Sequence, residues 1–91
     1  MHGKTYLVKL NSVEDVQYFN AKLCTLDGDF DLSYGRYTID AKSIMGIFSL
    51  DLNQELLFTV HSIDVLDEVK ERIGKYIIRE VKEWKRYYHL F

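Results

Sequence analysis

Asp29-Phe30-Asp31-Leu32-Ser33-Tyr34-Gly35-Arg36-Tyr37-Thr38-Ile39-Asp40-Ala41 is the stretch on which the fold turns. Phe30, Leu32 and Tyr34 alternate with Asp29, Asp31 and Ser33, and Tyr37, Ile39 and Ala41 keep the same alternation beyond Gly35-Arg36. That period marks a strand with one buried face, and glycine between two such runs supplies the positive φ of a tight turn. Residues 29–41 therefore read as a β-hairpin in the middle of the chain.

Upstream, Lys4 to Leu10 reads as a strand with Tyr6, Val8 and Leu10 on one face. A helix then starts at Asn11-Ser12-Val13-Glu14-Asp15, where Ser12 as N-cap and Asp15 three residues on form an acidic capping box. Val13, Val16, Phe19 or Asn20, and Leu23 follow at helical spacing, and Asp27-Gly28 ends the segment. Downstream, Ser43 to Leu50 suits a short helix. Glu55 to His61 is a fourth strand, with Leu56, Phe58 and Val60 on one face and Leu57, Thr59 and His61 on the other. Asp64 opens a long helical pattern that runs toward the C-terminus. The order β-α-β-β-α-β-α predicts an α+β two-layer fold, with helices on one face of a four-stranded antiparallel sheet and the other face open.

Composition narrows the class. The chain has 91 residues, a common size for one domain, and no proline, linker or repeat divides it. Apolar residues at 47% and aromatic residues at 14% exclude intrinsic disorder. Lys and Arg number 12 against 14 Asp and Glu, a net charge of −2 that argues against a globally basic nucleic-acid binder. Cys24 is the single cysteine, so neither an internal disulfide nor a thiolate zinc cluster is expected. No apolar run approaches the roughly 18 residues of a membrane span, and no secretory signal pattern is present, so the expectation is a soluble cytosolic domain.

The run Ile39-Asp40-Ala41-Lys42-Ser43-Ile44-Met45-Gly46-Ile47-Phe48-Ser49-Leu50-Asp51-Leu52 resembles the second-helix region of the bacterial HPr phosphocarrier family. The resemblance extends over about residues 4–77 and implies an open-faced β-sandwich of four antiparallel strands with three helices on one side. Family members carry a His-x-Arg-Pro motif at the start of the first helix, and its histidine relays a phosphoryl group toward sugar transport. Counting back from Ser43 without gaps, Ser12 falls at the histidine position and Glu14 at the arginine position. Residues 9–17 hold no His or Arg, so a small shift does not restore the motif. A carboxylate at Glu14 would repel an incoming phosphoryl group. Ser12 then reads as a helix cap, an aspartyl phosphate at Asp15 being the far weaker alternative. No catalytic residue is expected, and the chain is not expected to be an enzyme.

Ser43 matches the serine that a dedicated kinase modifies in HPr proteins of Gram-positive bacteria, which makes it a candidate regulatory phosphosite. A phosphate there gains from the free N–H groups of a helix start, while the plain alternative is that Ser43 only caps. Ile44, Met45, Ile47 and Phe48 correspond to the apolar patch with which the family docks protein partners. So short a helix cannot bury all of its apolar residues on one stripe, so about half are expected in the core and the rest on a docking surface. His2, His61 and His89 lie far apart in sequence and none neighbours Cys24, so no metal or cofactor is expected. His61 is expected on the solvent face of its strand, and Cys24 as a small semi-buried residue.

Leu66, Val69, Ile73, Ile77, Val81, Trp84, Tyr88 and Phe91 keep steps of three and four. As one helix from Asp64 to about Leu90 they would span roughly 40 Å, more than the roughly 23 Å of a seven-residue strand can cover. Val81, Trp84, Tyr88 and Phe91 in the extension 78–91 are therefore the candidate oligomer interface, and a homodimer is expected. Two alternatives stand beside it: a helix that breaks near Gly74 and folds back over its own domain, or a membrane-surface role for the basic, aromatic tail.

Overall fold

The computed structural model describes residues 3–82. The hairpin is present as β2 (Phe30–Tyr34) and β3 (Tyr37–Asp40), with Tyr34 opposite Tyr37. Gly35 holds φ 62°, the positive value that a two-residue hairpin loop of type II′ needs at its first position. Before the hairpin come β1 (Lys4–Val8) and α1 (Val13–Cys24); after it come α2 (Ile44–Phe48), β4 (Leu56–Val60), α3 (Leu66–Ile73) and β5 (Ile77–Glu80). Single 3-10 turns at Ile63–Val65 and Gly74–Tyr76 flank α3. The strands form one antiparallel sheet in the order β3-β2-β4-β1-β5. The α+β architecture with an antiparallel sheet stands, but with five strands among the described residues rather than the four expected.

Ser12 caps α1 as its sequence position predicts, its hydroxyl accepting the Asp15 N–H at 3.0 Å. The Asp15 carboxylate reaches back one residue further than a simple capping box, accepting the Asn11 N–H at 2.9 Å. Helical spacing places Val16, Phe19 and Leu23 on the buried side of α1. They meet Tyr6, Val8, Phe30, Leu32, Leu56, Phe58 and Val60 from the sheet, with Ile47 of α2 and Val69 and Ile73 of α3 completing the core. Phe19 stands edge-on to Phe58 at 5.3 Å and to Tyr76 at 5.8 Å, geometries that suit the aromatic quadrupole. Among the described residues every buried helical side chain lies in this one cluster, so α1, α2 and α3 share a single face of the sheet.

The C-terminal third departs from the expected long helix. α3 stops at Ile73, and Ile78, Arg79 and Glu80 of the expected helical extension lie in β5. β5 pairs antiparallel with β1, Tyr6 opposite Glu80 and Leu7 opposite Arg79, with a bulge between Leu7 and Val8. The Lys9 N–H donates to the Tyr76 carbonyl at 3.1 Å and the Val81 N–H to the Thr5 carbonyl at 2.8 Å, extending the pairing past both ends. The physical reason is the free edge of β1. A continuing helix would leave that row of backbone groups unpaired, whereas the β-branched Ile77-Ile78 fits a strand. The apolar stripe is therefore divided: Leu66, Val69 and Ile73 belong to α3, Ile77 to β5, and Val81 lies just beyond it. Trp84, Tyr88 and Phe91 lie outside the described residues.

Gly74 does not end α3 through steric need. Its φ is −59°, and a Cβ there would have no heavy atom within 4 Å. Gly74→Ala restricts the unfolded chain without straining the fold, so it is expected to raise stability by about 0.4–1 kcal/mol in denaturant titration. A loss of stability would show that the turn needs glycine after all.

Candidate functional site

α2 carries the residues singled out by the sequence. Ser43 is its N-cap, exposed, with its hydroxyl accepting the Gly46 N–H at 3.1 Å. Gly46 lets the helix sit low on the sheet, since a Cβ there would meet the Ile39 Cβ and the Ser43 Oγ at 3.2 Å each. Helical rotation from that seat divides the four apolar side chains. Ile47 is fully buried and Ile44 is half-buried against the core, while Met45 is 76% exposed and Phe48 40% exposed. The division into core and surface halves matches the expectation for so short a helix.

The start of α1 lies at the same end of the molecule as the loop after α2. Lys9 Nζ donates to Asn11 Oδ1 at 3.0 Å and to the Leu52 carbonyl at 3.2 Å, tying the two together. Ser12 and Asp15 are both engaged in capping. Past the other end of α1, Lys42 Nζ donates to the Leu26 carbonyl at 2.6 Å and lies 5.5 Å from the Phe30 ring centre. Cys24 is exposed, not semi-buried, with its thiol 3.6 Å from the Lys42 carbonyl.

A feature that sequence reading missed lies on the other face of the sheet. His61, one residue past β4, brings Nε2 to 2.7 Å from Asp31 Oδ2 on β2. Asp29, Phe30, Asp31, Asp40 and His61 line a shallow cleft of about 500 Å³. Antiparallel register makes the pair: Thr59 lies opposite Asp31, and the His61 N–H donates to the Asp29 carbonyl at 3.0 Å. The residues stand thirty positions apart in sequence, and only strand pairing brings them together. Among the described residues no group of three or more His, Cys, Asp or Glu side chains is placed to hold a metal ion. His2 and His89 lie outside the described residues.

No protein-family model matches the chain, and no curated protein or solved structure matches it either. The described residues form a small α+β fold, with α1, α2 and α3 on one face of an antiparallel sheet. Among the described residues no helix is long and apolar enough to cross a membrane.

The Asp31–His61 pair is solvated, its side chains 38% and 47% exposed. With His61 protonated the contact is an exposed ion pair, a kind that contributes about 0.2–1 kcal/mol and is screened by salt. A double-mutant cycle of Asp31→Asn and His61→Gln is expected to give a coupling no larger than about 1 kcal/mol, smaller still in high salt. A coupling of several kcal/mol would mean that the pair is shielded from water in solution.

Proposed function

We propose that this chain is a divergent HPr-like protein that works as a non-catalytic docking or regulatory module, without histidine phosphotransfer. One observation carries the reading: on α2, Met45 and Phe48 stand in solvent beside Ser43 while Ile47 anchors the same helix in the core. A large unbranched side chain and a ring on a firmly seated helix suit a protein–protein contact, because binding immobilises little else. The start of α1 supports the same view. Ser12 and Asp15 act as caps there, and Glu14 adds negative charge where phosphotransfer needs a cation.

The process and the partner follow from experiment. Incubated with phosphoenolpyruvate and the HPr family's upstream enzyme, the chain is expected to take up no label; stable labelling overturns the reading. A partner captured by the wild-type chain is expected to bind at least about tenfold more weakly to the Met45→Lys, Phe48→Lys double variant, since each buried anchor is worth about 1.5–3 kcal/mol. Circular dichroism should show the fold of that variant unchanged, because both side chains are exposed. Equal binding by the two proteins would remove α2 as the docking face.

A second reading, regulation at Ser43, rests on the exposure of its hydroxyl at the start of α2. The family's serine kinase is expected to add one phosphate to the wild-type chain and none to Ser43→Ala. Failure to modify the wild type, under conditions where an ordinary HPr is modified, removes that reading.

A further inference from the structure

β3 ends the sheet, so its ladder of hydrogen bonds runs to one side only. The Ala41 N–H donates to the Phe30 carbonyl at 2.8 Å. By alternation, Leu32 with Ile39 and Tyr34 with Tyr37 are then the hydrogen-bonded pairs of the hairpin. Thr38 and Asp40 fall between them and turn their backbone N–H and C=O groups outward, away from β2. The Asp40 carbonyl accepts the Ser43 N–H at 2.9 Å, whereas Thr38 faces outward with no strand beyond it among the described residues.

Sheet edges are ordinarily blunted by charge, by proline or by a bulge. β5, at the other border, carries Arg79 and Glu80, and its pairing with β1 is bulged. β3 has none of these between its ends: Tyr37-Thr38-Ile39 is uncharged, regular in register and high in strand propensity. Tyr37 is 71% exposed, on the same face as Ile39. The charges stand at the two ends, Arg36 in the hairpin loop and Asp40 at the last strand position. Both are exposed, and neither is in an ion pair among the described residues. Four steps of extended chain hold them roughly 13 Å apart, too far to pair within one chain.

We propose that β3 pairs antiparallel with β3 of a second copy of this chain, about a twofold axis at Thr38. Thr38 then lies opposite Thr38 of the other copy, and the two exchange a pair of backbone hydrogen bonds. Tyr37 falls opposite Ile39 and Arg36 opposite Asp40, each pair occurring twice. Charge selects this register. An axis at Ile39 would set Arg36 against Lys42, and an axis at Asp40 would set that carboxylate against itself. Like charges directly opposite oppose pairing. An axis at Tyr37 sets Arg36 against Thr38 and brings no opposite charges together. Only the axis at Thr38 places opposite charges at both ends. The arriving guanidinium also meets the acidic cleft, since Asp40 lines it with Asp29 and Asp31. Tyr37 on Ile39 is an aromatic ring on a β-branched side chain, a favourable cross-strand pair. An edge of four residues buries less than the roughly 1,200–2,000 Å² of a standard interface, so the dimer is weak and reversible. It does not use the C-terminal stripe: Val81, the described member of that set, clusters with Leu7 and Leu57 of its own chain.

Sedimentation of the full chain from about 10 μM to about 1 mM should show a monomer–dimer equilibrium. Arg36→Asp and Asp40→Arg each set like charges across the axis and should each weaken association about tenfold or more. In an equimolar mixture of those two variants every pair is again opposite in sign, and the dimer should return as a heterodimer. Thr38→Pro removes an outward N–H while leaving the bonds to β2 in place, and should abolish association. Should a variant fail to fold by circular dichroism, the wild type still decides. A sample mixing labelled and unlabelled chains is expected to give nuclear Overhauser effects between the Tyr37 ring of one chain and the Ile39 methyls of the other. A wild-type chain that stays monomeric over the whole range overturns the proposal. So does a dimer that the charge variants leave unchanged, or one without the Tyr37–Ile39 contact between chains.

Discussion

β1 is paired on both sides, and most of what is distinctive in this structure depends on that. Lys4 to Val8 lie against Val60 to Leu56 of β4 on one edge, and Tyr6 to Val8 lie against β5 on the other. Because alternate side chains point to opposite faces, this register sends Tyr6 and Val8 under the helices and Leu7 to the far side. A slip of one residue would exchange the two sets and place Leu7 where the Phe19–Phe58 contact is made. The second pairing also removes an exposed edge, so that β5 and β3 bound the sheet instead.

With the sheet so fixed, the helices need little intrinsic stability. α2 has only five residues, far fewer than the roughly 12–15 at which isolated helices become even marginal in water. Ser43 caps its start, Ser49 Oγ donates to the Gly46 carbonyl at 2.6 Å, and Ile47 is buried beneath it. That anchoring is what makes the outward direction of Met45 and Phe48 a fixed property of the fold.

The two faces of the sheet do different work. One carries the aromatic and aliphatic core and leaves no buried side-chain nitrogen or oxygen unpartnered among the described residues. The other divides into an apolar side and an acidic side, with Thr5 and Thr59 bonded at 3.1 Å between them. Cross-strand pairs of this kind are the unit from which sheets gain stability and specificity. The Asp31–His61 pair belongs to the same logic, a local contact in space between residues remote in sequence.

The sequence alone determined whatever is written in local pattern. Alternation over residues 29–41 with Gly35 between the runs specified the hairpin, Ser12 and Asp15 marked the start of α1, and Ser43 marked that of α2. The surplus of apolar residues on α2 foretold that some would be exposed. These features depend on neighbours a few residues away, so a period and a cap suffice to read them. Tertiary structure alone decided the rest. The spacing from Leu66 to Phe91 satisfies a helix, yet residues 77–80 are a strand because β1 offered an unpaired edge that no local pattern records. Likewise nothing near Asp31 or His61 announces the other; strand register brings them to 2.7 Å. Local propensity is a weak force beside a row of backbone hydrogen bonds, and where the two compete the row prevails.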